Sequence, residues 1–231
     1  SVAASGFFRM GGSTGFPLFG TSLGYTWGYD MAVVGISWRS SAVPFLLPAE
    51  LNGIFNLPCY LIRDTFAAVL AEWRFGAGQK KSHVIYVTVS SGIGAGVIAN
   101  NVLVKGYKGI GGEFGHIVID ASLKETCPCG KKGHLEAYAS GTGIARIARA
   151  ESIRVKDSRL NEIVPAELTA TDIGQCARDG DRLAITIIDQ AGRCLGLGLG
   201  TLMTLYNPQV IILGGGVWEG WLPHANLSVS K

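Results

Sequence analysis

The alternation of apolar and polar positions predicts a core of strands in the middle of the chain and helices towards its end. Val84–Val89 reads VIYVTV, a β-branched run that predicts a strand. The glycine-rich stretch Ser90–Gly96 follows, and Val97–Asn100 predicts the returning strand of a hairpin. Val102–Val104 and Ile117–Ile119 predict further strands, and Val210–Leu213 a buried one, giving an antiparallel or mixed sheet around the glycine turn. Pro58–Ile62 predicts a short apolar strand.

Helical spacing takes over elsewhere. Leu47–Phe55, with Pro48 near its start, predicts a short helix. Thr65–Phe75 predicts another, stopped by Gly76 and Gly78. Leu135–Ala139 and Thr142–Ala150 are helical, and Thr171 is the expected cap of a helix running to Arg178. Asp181–Tyr206 predicts one long apolar helix ended by Asn207-Pro208. Within it Gly192, Gly196 and Gly200 fall four apart, which predicts a face of close backbone packing. Residues 151–168 read as a charged surface connection, residues 1–32 show no period, and no helix is expected in the tail 217–231.

Composition narrows the function classes. With 231 residues and a mean hydropathy of +0.30, the chain is long enough to bury a full core. A net charge of +3, without a Lys/Arg run or basic stripe, argues against a nucleic-acid surface in this segment. No apolar run reaches the roughly 18 residues of a membrane span, and no leader of charged then apolar residues opens the chain. Five cysteines, only Cys127 and Cys129 close together, fit a reducing, cytoplasmic setting better than a disulfide framework. Cys59 and Cys194 read as buried thiols.

One segment carries dense chemistry. His116, Cys127, Cys129 and His134 are spaced H-x10-C-x-C-x4-H. Two thiolates and two imidazoles are a tetrahedral zinc set, and with all four places filled the zinc is expected to be structural. Glu113 and Glu136 bracket this loop, so the metal is expected to shape a polar site. Asp64 falls at the end of a strand and the start of a helix, a place suited equally to ligand binding at a sheet edge or to capping. The turn around Gly92 and Gly94, and the triple glycine Gly214–Gly216 after a strand, present bare backbone that a phosphate could approach; tight turning alone would also explain them.

GGEFGH (residues 111–116) and CPCGKKGHLE (127–136) closely resemble the signature of the ROK family of repressors, open reading frames and kinases. LPCYLIRDTFAAVLAEWRFGAG, VTVSSGIGAGVI, EAYASGTGIARIA, ELTATDIGQCARDGD and NPQVIILGGGV extend the likeness over residues 45–218, and EAYASGTG is nearer to glucokinase-type members than to repressors. The resemblance implies an α/β, actin-like ATPase or ribonuclease H-like fold, with two lobes of mixed sheets flanked by helices. Residues 1–75 would be a remnant of the N-terminal lobe and 76–231 the C-terminal lobe, cut short after Trp218.

The same resemblance implies roles. Asp64 matches the base that takes the proton from a sugar hydroxyl. Arg63, Glu113, His116 and Glu136 match sugar-binding positions, and Ser91, Gly92, Gly94, Gly214 and Gly215 match nucleotide-binding ones. ATP with Mg²⁺ would be co-substrate, a hexose, above all glucose, the acceptor, and a homodimer or homotetramer the assembly. Arg63 stands where the family usually has Asn, His134 where it has a third cysteine, and Ser90-Ser91 where Gly-Thr is usual. An Asp-x-Gly-Gly-Thr loop is missing; Gly11–Thr14 only echoes it. Two other functions stay open on this sequence: the sugar-binding effector domain of a transcription repressor, although residues 1–45 lack a helix-turn-helix pattern, and a degenerate sugar-binding module without catalysis.

Overall fold

The computed structural model describes residues 60–220, together with short pieces at 21–24, 33–36, 53 and 56. The helix expected over Leu47–Phe55, the motif Gly11–Gly15, Cys59 and the tail beyond residue 220 lie outside the described residues. The chain divides into two units, Ser1–Ala68 and Val69–Lys231.

In the first unit, β1 (Thr21–Gly24) pairs antiparallel with β2 (Val33–Ile36), and β2 pairs parallel with β3 (Tyr60–Ile62). After one residue, Arg63, the chain enters helix α1 (Asp64–Phe75). Asp64 thus follows a strand end and opens a helix, as its neighbours predict.

The second unit is built on the sheet β6-β5-β4-β7. β4 (Val84–Val89) is central and buries Val84, Ile85, Val87 and Val89 completely. It pairs antiparallel with β5 (Ile93–Ala99) and parallel with β7 (Val210–Gly214), while β6 (Val102–Leu103) pairs with β5. The hairpin turn is shorter than expected. Val89 pairs with Ile93, so only residues 90–92 turn, and Gly94 lies inside β5 opposite Thr88. The alternation Ile93, Ala95, Val97 faces the core and fixes this register; glycines in between have no side chain to reveal it. β7 is half-buried rather than fully buried because it lies at the edge of this sheet.

The remaining elements cover the sheet. α2 (Leu135–Ala139) and α3 (Gly141–Ser152) are separated by Ser140, whose Oγ accepts from Gly143 N–H at 3.0 Å as an N-cap. α4 (Ala170–Arg178) starts earlier than expected. Its cap is Thr169, because only a residue three before Asp172 can close the reciprocal capping box. α5 (Arg182–Tyr206) is capped by Asp181, which accepts from Ala184 N–H at 2.8 Å, and ends on Asn207 in the left-handed conformation. Its close approach to Leu135 and Phe114 is at Gly198 rather than at Gly196 or Gly200 of the expected stripe. A Cβ at Gly198 would come within 2.8 Å of Leu135 and 2.9 Å of Phe114, whereas Gly196 and Gly200 face open space.

Three other expectations are corrected. Ile117–Ile119 forms no strand, only a single bridge between Val118 and His134 across the metal loop. The connection 151–168 is not all surface: Leu160, in a 3₁₀ turn Arg159–Glu162, and Leu168 enter the core. A short helix, α6 (Gly216–Gly220), follows Gly215. Among the described residues no helix is long and apolar enough to cross a membrane.

Candidate functional site

The segment from Glu113 to Glu136 starts and ends on buried apolar anchors. Phe114, in a 3₁₀ turn Phe114–His116, and Leu135, at the start of α2, both pack in the main core beside α5. Between them the chain makes a narrow excursion. Ile119 N–H donates to Gly133 O at 2.9 Å and Leu135 N–H to Ile117 O at 2.9 Å. A tighter knuckle closes at its tip, where Cys127 N–H donates to Lys131 O and Gly130 N–H to Cys127 O, each at 2.8 Å. Gly133 has φ +76°, and a Cβ there would come 2.5 Å from Asp120 O, so only glycine fits.

This path brings His116, Cys127, Cys129 and His134 together, with one ligand atom from each inside 4.8 Å of all the others. Cys129 Sγ and His134 Nδ1 are 3.3 Å apart, and the two imidazole rings stack at 5.2 Å. A tetrahedral zinc needs donor separations of roughly 3.3–3.8 Å. The donor set therefore fits the ion after shifts of an ångström or less. Protonation points the same way. Burial holds His134 below the ordinary histidine value, which favours the neutral imidazole that ligates. Burial pushes the Cys127 thiol up to about 11, so near neutral pH its thiolate would form only where a bound cation displaces the proton to solvent.

The base of the loop is braced by polar contacts. Tyr138 of α2 donates its hydroxyl to Asp120 and accepts from Glu125 N–H at 3.1 Å. Arg146 of α3 pairs with Glu125 and donates to Ala137 O at 2.9 Å. Asp120 also accepts from Ser122 Oγ and from the backbone of Ser122 and Lys124. Hydrogen bonds from Ser122 and Tyr138 hold its carboxyl well below the usual range.

The two acids differ in setting. Glu113 is exposed, with Oε2 3.8 Å from His116 Nδ1. Glu136 lies against the glycine turn: its Oε2 accepts from Ile93 N–H at 3.0 Å, and a Cβ on Gly92 would come within 2.8 Å of that oxygen. Its Oε1 is 3.8 Å from Cys127 Sγ. One carboxylate thus touches both the metal loop and the turn. Sequence reasoning missed this bond because an amide donor leaves no mark in residue type.

The glycine turns adjoin each other through β4 and β7. Gly214 pairs with Thr88, and Gly215, with φ +99°, approaches Val89 O so closely that a Cβ would sit 2.5 Å from it. Ser91 and Gly92 occupy the hairpin turn, while Gly94 is held in the sheet one pair away. Glu113, His116, Glu136, Ser91, Gly92, Gly214 and Gly215 therefore all belong to the second unit. Asp64 and Arg63 belong to the first. There Asp64 Oδ1 accepts from Thr65 N–H at 2.8 Å, and the Arg63 guanidinium lies over the Phe66 ring, 5.1 Å from its centroid. That stacking occupies one face of the guanidinium at the position where the resemblance implies a sugar contact.

The sequence pattern of the ROK family matches residues 36–221. The chain belongs to the ROK family. It is 35% identical over 192 residues to the glucokinase of Halalkalibacterium halodurans, taking in 82% of this chain and 57% of that protein. It is 32% identical over 198 residues to the xylose repressor of Caldicellulosiruptor bescii, 81% of this chain and 49% of that one. The ROK family glucokinase from Streptomyces griseus, solved in complex with glucose and AMPPNP, superposes with a TM-score of 0.66 at 33% identity, covering 75% of this chain and 57% of that chain. The chain thus spans about half the length of the curated relatives it matches. The α/β, actin-like fold expected from the resemblance is the fold of these ROK neighbours.

Proposed function

We propose that this ROK chain is the sugar- and nucleotide-handling part of an ATP-dependent hexose kinase, with glucose as substrate and glucose 6-phosphate as product. The observation that carries this reading is the bond between Glu136 and Ile93 N–H, which joins an acid of the metal loop to the glycine turn. A sugar hydroxyl held by that acid would lie beside a turn able to take a phosphate. The likeness to a glucokinase solved with glucose and AMPPNP supports the same assignment.

In this reading Glu113, His116 and Glu136 hold sugar hydroxyls, and Arg63 contributes a further contact. Ser91, Gly92, Gly94, Gly214 and Gly215 line the nucleotide side. Asp64 accepts the hydroxyl proton as the new O–P bond forms to the γ-phosphorus and the bond to the β–γ bridging oxygen breaks, releasing ADP. Mg²⁺ on ATP would offset phosphate charge. Zinc held by His116, Cys127, Cys129 and His134 supplies no chemistry; it stiffens the loop that aims the acids.

The decisive assay couples ADP release to glucose and MgATP, with metal analysis on the same sample. We expect turnover with glucose, one zinc per chain, and a loss of about 10²–10⁴-fold in Asp64→Asn. Unchanged turnover in that variant removes Asp64 from the role. A second reading draws on the likeness to a xylose repressor: a domain that binds sugar as an effector. Glucose or xylose binding with no ADP release, in a sample that still carries zinc, would favour that reading or a non-catalytic sugar-binding module.

A further inference from the structure

The turn at residues 90–92 is held from behind by the start of α3. Gly141 N–H donates to Ser90 O at 2.7 Å. The Thr142 hydroxyl donates to Ser91 O at 2.8 Å, and Thr142 N–H reaches the same oxygen at 3.4 Å. The hydroxyl assignment follows from the distances and from the carbonyl acceptor. Ser140 gives its one hydroxyl proton to Glu136 O at 2.6 Å and accepts from Gly143 N–H. Ser140 Oγ lies 3.1 Å from Thr142 Oγ1; Ser91 O, at 2.8 Å, is the nearer acceptor and, as a carbonyl, can only accept, so the Thr142 proton is directed at it.

Planar trans peptides turn this into a statement about the opposite side of the turn. No peptide bond among the described residues is cis. A carbonyl fixed towards α3 points the N–H of the next residue the other way. Fixing Ser90 O and Ser91 O therefore turns the amides of Ser91 and Gly92 away from α3. Gly141 adds a second constraint: a Cβ there would lie 3.1 Å from both Ser90 O and Val217 Cγ2, so the helix start is wedged between the hairpin turn and the segment after Gly215.

We propose that Thr142 is a positioning residue for the nucleotide: by holding the Ser91 carbonyl it aims the Ser91 and Gly92 amides at a phosphate group. This rests on the kinase reading above, in which that turn contacts ATP. In this role Thr142 acts through the Ser91 carbonyl and not on the substrate. Its hydroxyl sits behind the turn and is matched in shape, but not in hydrogen bonding, by valine.

The test is calorimetric binding of Mg·AMPPNP and of glucose, measured separately on the protein and on Thr142→Val and Thr142→Ser. Loss of one neutral hydrogen bond weakens a dependent equilibrium by about fivefold. We expect AMPPNP affinity to fall by about that factor in Thr142→Val, glucose affinity to stay within about twofold, and Thr142→Ser to restore the nucleotide affinity. Equal losses for both ligands, or unchanged AMPPNP binding in Thr142→Val, overturn the positioning role while leaving the kinase reading intact. An unsubstituted protein that binds glucose but no AMPPNP overturns both.

Discussion

The central strand pair and the metal loop are stabilised in opposite ways. β4 and β7 run side by side, and β4 is buried along its length by aliphatic side chains, so water is excluded whether or not anything binds. The loop between His116 and His134 exposes Lys124, Lys131 and Lys132 and turns on glycines. It gathers His116, Cys127, Cys129 and His134, of which Cys127 and His134 are buried, above a polar brace. A sheet of this kind stands by itself; a loop of this kind would be completed by the ion we propose for it. In the function we propose, Glu113 and Glu136 would depend on that ion for their geometry, while the sheet supplies a fixed edge for the glycine turns.

The largest expected effect separates the two regions. Chelation of zinc, or Cys127→Ser, should release the loop and abolish measurable sugar binding while β4–β5–β7 keeps its amide protection in hydrogen exchange. Loss of protection in loop and sheet together would show that they form one cooperative unit. Next in size, Ile85→Ala in the fully buried strand should cost about 2–5 kcal/mol, read as a lower melting temperature of similar size with and without chelator. A destabilisation that disappears on chelation would place the loop upstream of the sheet.

The smallest effect addresses the polar brace. Tyr138→Phe removes the hydroxyl that donates to Asp120 and accepts from Glu125. Asp120 has a depressed folded pKa, so its contribution is full above the ordinary carboxyl value and is lost as pH falls through the lower folded value. The difference in melting temperature between the protein and Tyr138→Phe should therefore be constant, at a few degrees, above about pH 4 and shrink below it. A difference independent of pH down to 2 would mean that the carboxylate adds nothing to the brace.

Much of this site was legible from spacing. H-x10-C-x-C-x4-H pointed to one ligand cluster, because thiols and imidazoles at such separations have few other reasons to share a short loop. The strand at Val84, the helix at Leu135 and the long helix to Tyr206 also followed from period alone, since burial of one face imposes it. Two of the errors share a cause. Glycine carries no polarity, so the expected turn runs on through Gly94 although that residue pairs with Thr88, and the expected stripe includes Gly196 and Gly200, which face open space, while Leu135 and Phe114 lie against Gly198.

By itself, then, the sequence determined the residue types of the site, the clustering of His116, Cys127, Cys129 and His134, most of the main strands and helices, and the likeness to ROK proteins. Those depend on local spacing and on side-chain chemistry. Only the tertiary structure decided that Glu136 reaches Ile93, that Thr142 backs Ser91, and that Gly214 lies beside Thr88. These are meetings of backbone groups far apart in the chain. Every residue but proline offers the same N–H and every residue the same C=O, so their pairing is set by register and packing rather than by residue type.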